Sequence, residues 1–363
     1  MKDFGPAAPG FAPPLAADLD LDQDGAVTVH DEIEYTRFVA QLRVLETRLL
    51  SRTQLLRLVE APDAAAVFRL LAETEYAAAV AAAEGPADFE VALASELSRV
   101  FALLRRNAPE ADLVRVLGLA YTWQNLKSAL KAALTGAPLD ERGLIAAGNL
   151  ASAELLAIAG GGSLTALPEP FRGAAVAAAG AYGATGDPQE IDFVLDAVRF
   201  TSIGEGARSH GFELLAKVAE TTADLVNLRT ALRLRLLRAD PAALDRAFVP
   251  GGRIKRSRLA AAMLLEPEEM IPALAGVPEL DVFAAGLAAY RGTGSLAVLE
   301  KLMDDRVLSL VGAARYMAFG PDPIIAYLLA KEAEIKNLRI ILTGKINQLP
   351  DDTIRERLRE TYA

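Results

Sequence analysis

Asp20, Asp22 and Asp24 occupy alternate positions, Gly25 follows, and Asp31 closes the twelve-residue window DLDQDGAVTVHD. That is the spacing of an EF-hand calcium loop. In such a loop Asp20, Asp22 and Asp24 supply side-chain oxygens, Ala26 its carbonyl, Thr28 the ninth position and Asp31 the twelfth. Gly25 permits the sharp turn and Val27 fills the apolar eighth position. Asp31 is one methylene shorter than the usual glutamate, with Glu32 beside it, and the segment before the loop is rich in proline where an entering helix belongs. The expectation is one Ca2+ site, weaker than a paired sensor, because four converging carboxylates repel one another until a cation arrives. The plainer alternative is a solvated acidic turn that starts the first long helix.

Other chemically suggestive residues are sparse. GEGARSHG, Gly204 to Gly211, faintly resembles a dinucleotide fingerprint, but Ser209 stands where the third glycine belongs and no βαβ series surrounds it. A bend between helices is expected there. Gly344-Lys345 lacks the upstream glycine and the following Ser or Thr of a phosphate loop. The two histidines, His30 and His210, have no partner nearby in sequence and read as surface or capping residues. Trp123 falls on an apolar stripe and reads as core. The basic run RIKRSR offers Arg253, Lys255, Arg256 and Arg258, either as a solvated helix face or as a contact for an acidic partner surface. The C-terminal TIRERLRE reads as an exposed helical end. No acid, base and nucleophile cluster together, so no catalysis and no required cofactor are expected.

The elements around these residues are helical. Of 363 residues 52% are hydrophobic and only 6% aromatic, which favours closely packed Ala- and Leu-rich helices over sheets. Cysteine is absent, so neither disulfides nor thiolate metal sites are available. A net charge of −10 disfavours nucleic acid and anionic lipid as partners. No secretory signal and no run long enough to span a bilayer is read, and the expectation is a cytoplasmic protein. Residues 1–19, with Pro6, Pro9, Pro13 and Pro14, read as an extension without a core of its own. Ile33, Phe38, Leu42, Leu45 and Leu49 then begin a helical pattern.

A repeat follows. WQNLKSAL from Trp123, LVNLRTAL from Leu225 and IKNLRIIL from Ile335 each place a large apolar residue, then Asn, Leu, a cation and a second Leu at matching positions. Asn125, Asn227 and Asn337 recur about a hundred residues apart, too long and too few for a common solenoid. Asparagine is a mediocre helix residue, so its recurrence suggests that it satisfies a buried polar group on a neighbouring helix. LLSRTQLLRLVEAPDAAAVFRLL, LIAAGNLASAELLAIAGGGSLTAL and RIKRSRLAAAMLLEPEEMIPALAG each read as helix, break, helix. The expected fold is all-α, with an N-terminal extension (1–33) and three related helical units at 34–136, 137–239 and 240–363.

FVAQLRVLETRLLS, LLAETEY, the three N-L-R/K helices and VPGGRI at Val249 to Ile254 together resemble the C subunit of archaeal and bacterial V-type (A-type) rotary ATPases, the counterpart of the eukaryotic d subunit. The likeness runs from about Tyr35 to the C-terminus and rests on the order of the motifs, none of which is specific alone. Gln41 stands where the family usually has arginine, and residues 1–31 have no recognised counterpart. The resemblance implies a funnel of three helical-bundle units around a pseudo-threefold axis, peripheral on the cytoplasmic face of the membrane. It implies a non-catalytic central-stalk socket between the central shaft and the membrane rotor ring, coupling ATP hydrolysis or synthesis to proton or sodium transport. The competing reading, a calcium-dependent helical scaffold, explains the acidic loop but not the repeat.

Overall fold

Leu225, Leu228 and Leu232 share one face of a helix at i, i+3 and i+7, as do Trp123, Leu126 and Leu130, and Ile335, Leu338 and Leu342. All nine are buried. Each stripe runs along one of the long helices of a computed structural model that describes residues 32–362. Helix α1 (Glu32–Glu46) comes first, burying Phe38 and Leu42. The remaining helices follow in three successive passes of chain. The first pass is α2 (Arg52–Val59), α3 (Ala64–Leu71), α4 (Ala77–Ala82), α5 (Phe89–Asn107), α6 (Ala111–Thr135) and a 3-10 turn at Glu141–Gly143. The second is α7 (Ser152–Ala159), a 3-10 turn at Leu164–Ala166, α8 (Phe171–Thr185), α9 (Gln189–Ser209), α10 (Glu213–Leu236) and α11 (Ala242–Ala247). The third is α12 (Arg256–Met263), α13 (Met270–Ala273), α14 (Leu280–Thr293), α15 (Ala297–Val311), α16 (Asp322–Ile346) and α17 (Asp351–Arg357). No strand occurs among the described residues, so the chain is all-α there.

The three longest helices, α6, α10 and α16, end alike. Gly136, Arg238 and Gln348, each at the same distance beyond its asparagine, adopt left-handed backbone with φ of 73°, 53° and 55°. This is the terminal geometry that exposes the last carbonyls to capping by the turned-back chain. Only the first copy uses glycine, the residue that adopts it without a Cβ penalty.

Two compact units divide the helices. One contains Arg115–Leu274, where α9 lies along α8 and α10, and α10 also contacts α11 and α12. The other is built from both ends of the chain, joining residues up to Val114 with Ala275 onward. At its centre α16 packs against α15 and α17 from its own pass and against α1, α2, α3 and α5 from the chain's beginning. The boundary at Val114 falls inside α6.

Several local expectations change. GEGARSHG is mostly helix: Gly204 and Gly206 are buried in the last turns of α9, and only His210 and Gly211 form the bend. TIRERLRE is not a free helical end. Ile354 and Leu358 are fully buried, and the chain beyond α17 is held against α16. Trp123 is core, its ring against Phe171 at 4.7 Å between centroids and its indole N–H donating to Ser202 Oγ at 2.8 Å.

Candidate functional site

A primary amide on a helix can pair with both the carbonyl and the N–H of one residue, donating from Nδ2 and accepting at Oδ1. Asn227 does this to Val249: Nδ2 donates to its carbonyl at 2.8 Å and Oδ1 accepts from its N–H at 2.9 Å. Asn125 does the same to Ile145 at 2.8 and 3.2 Å. Asn337 holds Arg359 at 3.3 and 2.8 Å. Each captured residue lies in non-helical chain just after a short helical turn. The recurring asparagine therefore satisfies the backbone of non-helical chain, where the sequence had suggested a group on a neighbouring helix.

One turn before each asparagine, a second side chain on the same helix face accepts from another backbone N–H. Thr122 Oγ1 accepts from Asn149 at 2.7 Å, Asp224 Oδ1 from Ile254 at 2.9 Å, and Glu334 Oε2 from Leu50. Asn149, Ile254 and Leu50 stand just before α7, α12 and α2. In the first two cases the chain runs directly from the captured peptide to the second acceptor. In the third, the peptide comes from the chain's end and the second N–H from its beginning.

VPGGRI is the second of these linkers, and the site explains its glycines. Val249 is held by Asn227, Gly251 adopts φ 98°, and Gly252 passes so close to Asp224 that a Cβ there would overlap Oδ1. Gly252→Ala is expected to push the linker off Asp224 and cost about 1–3 kcal/mol, the range for overpacking a filled site. Chemical denaturation measures it, and an unchanged midpoint would mean that the linker yields freely.

Within the unit built from both chain ends, Glu334 belongs to a buried charge network. Lys331 lies one turn before it on α16, only 1% exposed, with Nζ 2.6 Å from Glu334 Oε1 and 3.2 Å from Glu96 Oε1 on α5. The Tyr76 hydroxyl donates to Glu334 Oε1 at 2.8 Å, and its ring lies 4.9 Å from the Lys331 ammonium. Arg99 donates to both oxygens of Glu96 at 2.7 and 2.8 Å and reaches Glu75 at 3.5 Å, which pairs with Arg48 at 2.8 Å. Burial raises the Tyr76 pKa well above its usual value, and the charges of Glu334 and Glu96 add to this. RLLS and LLAETEY, far apart in sequence, thus meet the third N-L-R helix at one cluster. Its charges are mutually paired, which suits rigidity and leaves no exposed nucleophile or base poised for chemistry.

The residues singled out from sequence fall elsewhere. Asp20, Asp22, Asp24, Ala26, Thr28 and Asp31 lie outside the described residues, as does His30. Among the described residues no three His, Asp or Glu side chains are grouped to hold a metal ion. The basic run divides. Arg253 sits in the linker, paired with Glu220 at 2.8 Å and Asp224 at 3.3 Å. Lys255 is the exposed residue before α12, Arg256 pairs with Asp245 at 2.7 Å, and Arg258 donates to the Ala273 carbonyl at 3.2 Å. His210 ends α9, its ring 3.1 Å from Arg115. Thr122, Asp224, Glu334, Lys331, Glu96 and Tyr76 were not singled out. The available signal was a charge set into an apolar stripe, as Glu96 is between Leu93, Leu97 and Val100 on α5.

Comparison with known proteins adds an independent result. The family model described as ATP synthase (C/AC39) subunit matches residues 38–357. The C subunit of the V-type sodium ATPase of Enterococcus hirae is 26% identical over 332 residues, covering 91% of this chain and 99% of its own. The C subunit of the A-type ATP synthase of Methanocaldococcus jannaschii is 24% identical over 355 residues, covering 91% of this chain and 87% of its own. That of Haloquadratum walsbyi is 27% identical over 343 residues, covering 87% and 96%.

Proposed function

The chain belongs to the ATP synthase (C/AC39) subunit family, and from that premise we propose that it is a non-catalytic central-stalk subunit of a V/A-type rotary ATPase. It acts as a socket between the central shaft and the membrane rotor ring, and it couples ATP hydrolysis or synthesis to proton or sodium transport. The proposal includes three related units about a pseudo-threefold axis, near 34–136, 137–239 and 240–363. The observation that carries it is the threefold recurrence of the asparagine clasp with a second acceptor one turn before it. A part that transmits torque must resist shear, and clasping linker peptides onto long, closely packed helices supplies stiffness without chemistry. No helix among the described residues is long and apolar enough to cross a membrane, and a peripheral position on the cytoplasmic face follows from assembly with the ring.

Deleting the gene is expected to leave ATP hydrolysis by the soluble motor while abolishing ATP-driven ion transport. Coupled transport that survives the deletion would refute the coupling role. The basic run, with Arg253, Lys255, Arg256 and Arg258 all exposed, is a proposed contact for an acidic partner surface. The scaffold reading gains no support from the clasps, which make no use of calcium.

A single weak Ca2+ site at Asp20–Asp31 remains a proposal on loop spacing alone. Calorimetry on the full chain is expected to give one binding heat at about millimolar calcium, lost in an Asp20→Ala, Asp24→Ala variant. Equal heats for both proteins, or none, would leave the stretch as an acidic turn.

A further inference from the structure

The turns that lead into the longest helices are unequal. Residues 108–110 join α5 to α6 and residues 210–212 join α9 to α10, but residues 312–321 join α15 to α16. The longer loop is not needed to make the connection, since two three-residue turns make the equivalent ones. It is nevertheless firmly held. Arg43 on α1 donates to the carbonyls of Ala314 at 2.7 Å and Met317 at 2.5 Å. Arg315 donates to the Tyr362 carbonyl at 2.5 Å and lies 4.7 Å over the Tyr362 ring. So held, the loop presents Tyr316 at 85% exposure, with Met317 and Phe319 each at 41%. Val44, next to Arg43, is 54% exposed. These are four of the eight large apolar side chains exposed among the described residues. A pinned loop that concentrates aromatic and thioether surface in water is a docking surface.

We propose that this surface binds the chain's own proline-rich N-terminal stretch, Pro6 to Pro14, in cis. The inference stands apart from the rotary reading. Proline-rich segments dock on exposed aromatic rings because their extended form loses little entropy on binding. Pro6, Pro9, Pro13 and Pro14, with Phe11 among them, form the only such stretch in the sequence. Its tether also starts in the right place. Residues 15–31 connect Pro14 to Glu32, the first residue of α1, and Arg43 of that helix grips the loop. A random coil of seventeen residues spans about 20 Å, while the helix from Glu32 to Arg43 spans about 16 Å. Reach and span match, so a weak contact gains from a high effective concentration.

The chain contains no cysteine, so introduced pairs report without background. In dilute full-length protein, Ala12→Cys with Ala318→Cys is expected to form an intramolecular disulfide about tenfold faster than Ala12→Cys with Ile346→Cys, an exposed site at the end of α16 in the same unit. Adding Tyr316→Ser and Phe319→Ser to the first pair is expected to bring its rate down to the second. These surface changes leave the core intact and control for simple proximity. Equal rates for the two pairs, or a first-pair rate indifferent to the serines, would overturn the proposal. If the serines spared the disulfide and weakened attachment to the rotor ring, the surface would belong to that partner and the cis contact would be refuted.

Discussion

Asn227→Ala is expected to lower stability by about 2–4 kcal/mol, although alanine is the better helix former. The two effects have opposite signs, which makes the test decisive. Propensity alone would make the substitution stabilising by up to about 0.7 kcal/mol. Against that, removing the amide strips the partner from both the N–H and the C=O of Val249, a buried residue. Each buried backbone group left unsatisfied costs about 1–3 kcal/mol, and the polar groups together outweigh the helical gain. The three copies should rank. Ile145 and Arg359 are half-buried where Val249 is buried, so water can replace part of what Asn125 or Asn337 provides. Equilibrium denaturation of the three single variants measures the order. An Asn227→Ala protein as stable as the parent, or one less affected than Asn125→Ala, would remove the clasp from the account of stability.

This arrangement was partly legible in the sequence. Asparagine at one register of three Leu-rich helices is costly unless each copy does similar work, and that inference needs only the pattern. What asparagine binds was not legible. A linker peptide carries no side-chain signature, and Ile145, Val249 and Arg359 have nothing in common as residue types. VPGGRI was visible as a motif, yet its glycines follow from the space beside Asp224, which no local spacing encodes.

The charge network was hidden for a different reason. Lys331 and Glu334 look like an ordinary helical ion pair, and surface pairs of that kind are common and weak. Their apolar neighbours Leu328, Ile335 and Leu338 share the same helix and are buried, which marks the pair as buried too. The partners Glu96 and Tyr76 come from the chain's beginning, and nothing in the sequence states that both ends build one compact unit. The acidic loop was the reverse case: the sharpest local pattern lies outside the described residues, while the structural work is done by residues of ordinary spacing.

Lys331→Met is expected to cost about 3–5 kcal/mol, the penalty for leaving the buried Glu334 carboxylate without its cation. Methionine fills similar volume, so the loss measures charge more than cavity. In the parent protein burial pulls the Lys331 ammonium down, but Glu334 and Glu96 outweigh it and raise its pKa above the usual 10.5. Tyr76 is likewise raised, by burial first. A group whose folded pKa lies above its unfolded value gives stability that is complete below the unfolded value and lost as pH rises. The parent should therefore lose stability above pH about 10. Adding Glu334→Gln, whose oxygen can still accept from the Leu50 N–H while its amide nitrogen donates to the Tyr76 hydroxyl oxygen, should recover part of the Lys331→Met loss. A deficit untouched by Glu334→Gln would show that Lys331 contributes packing alone, and that the two ends of the chain are joined by apolar contacts rather than by this network.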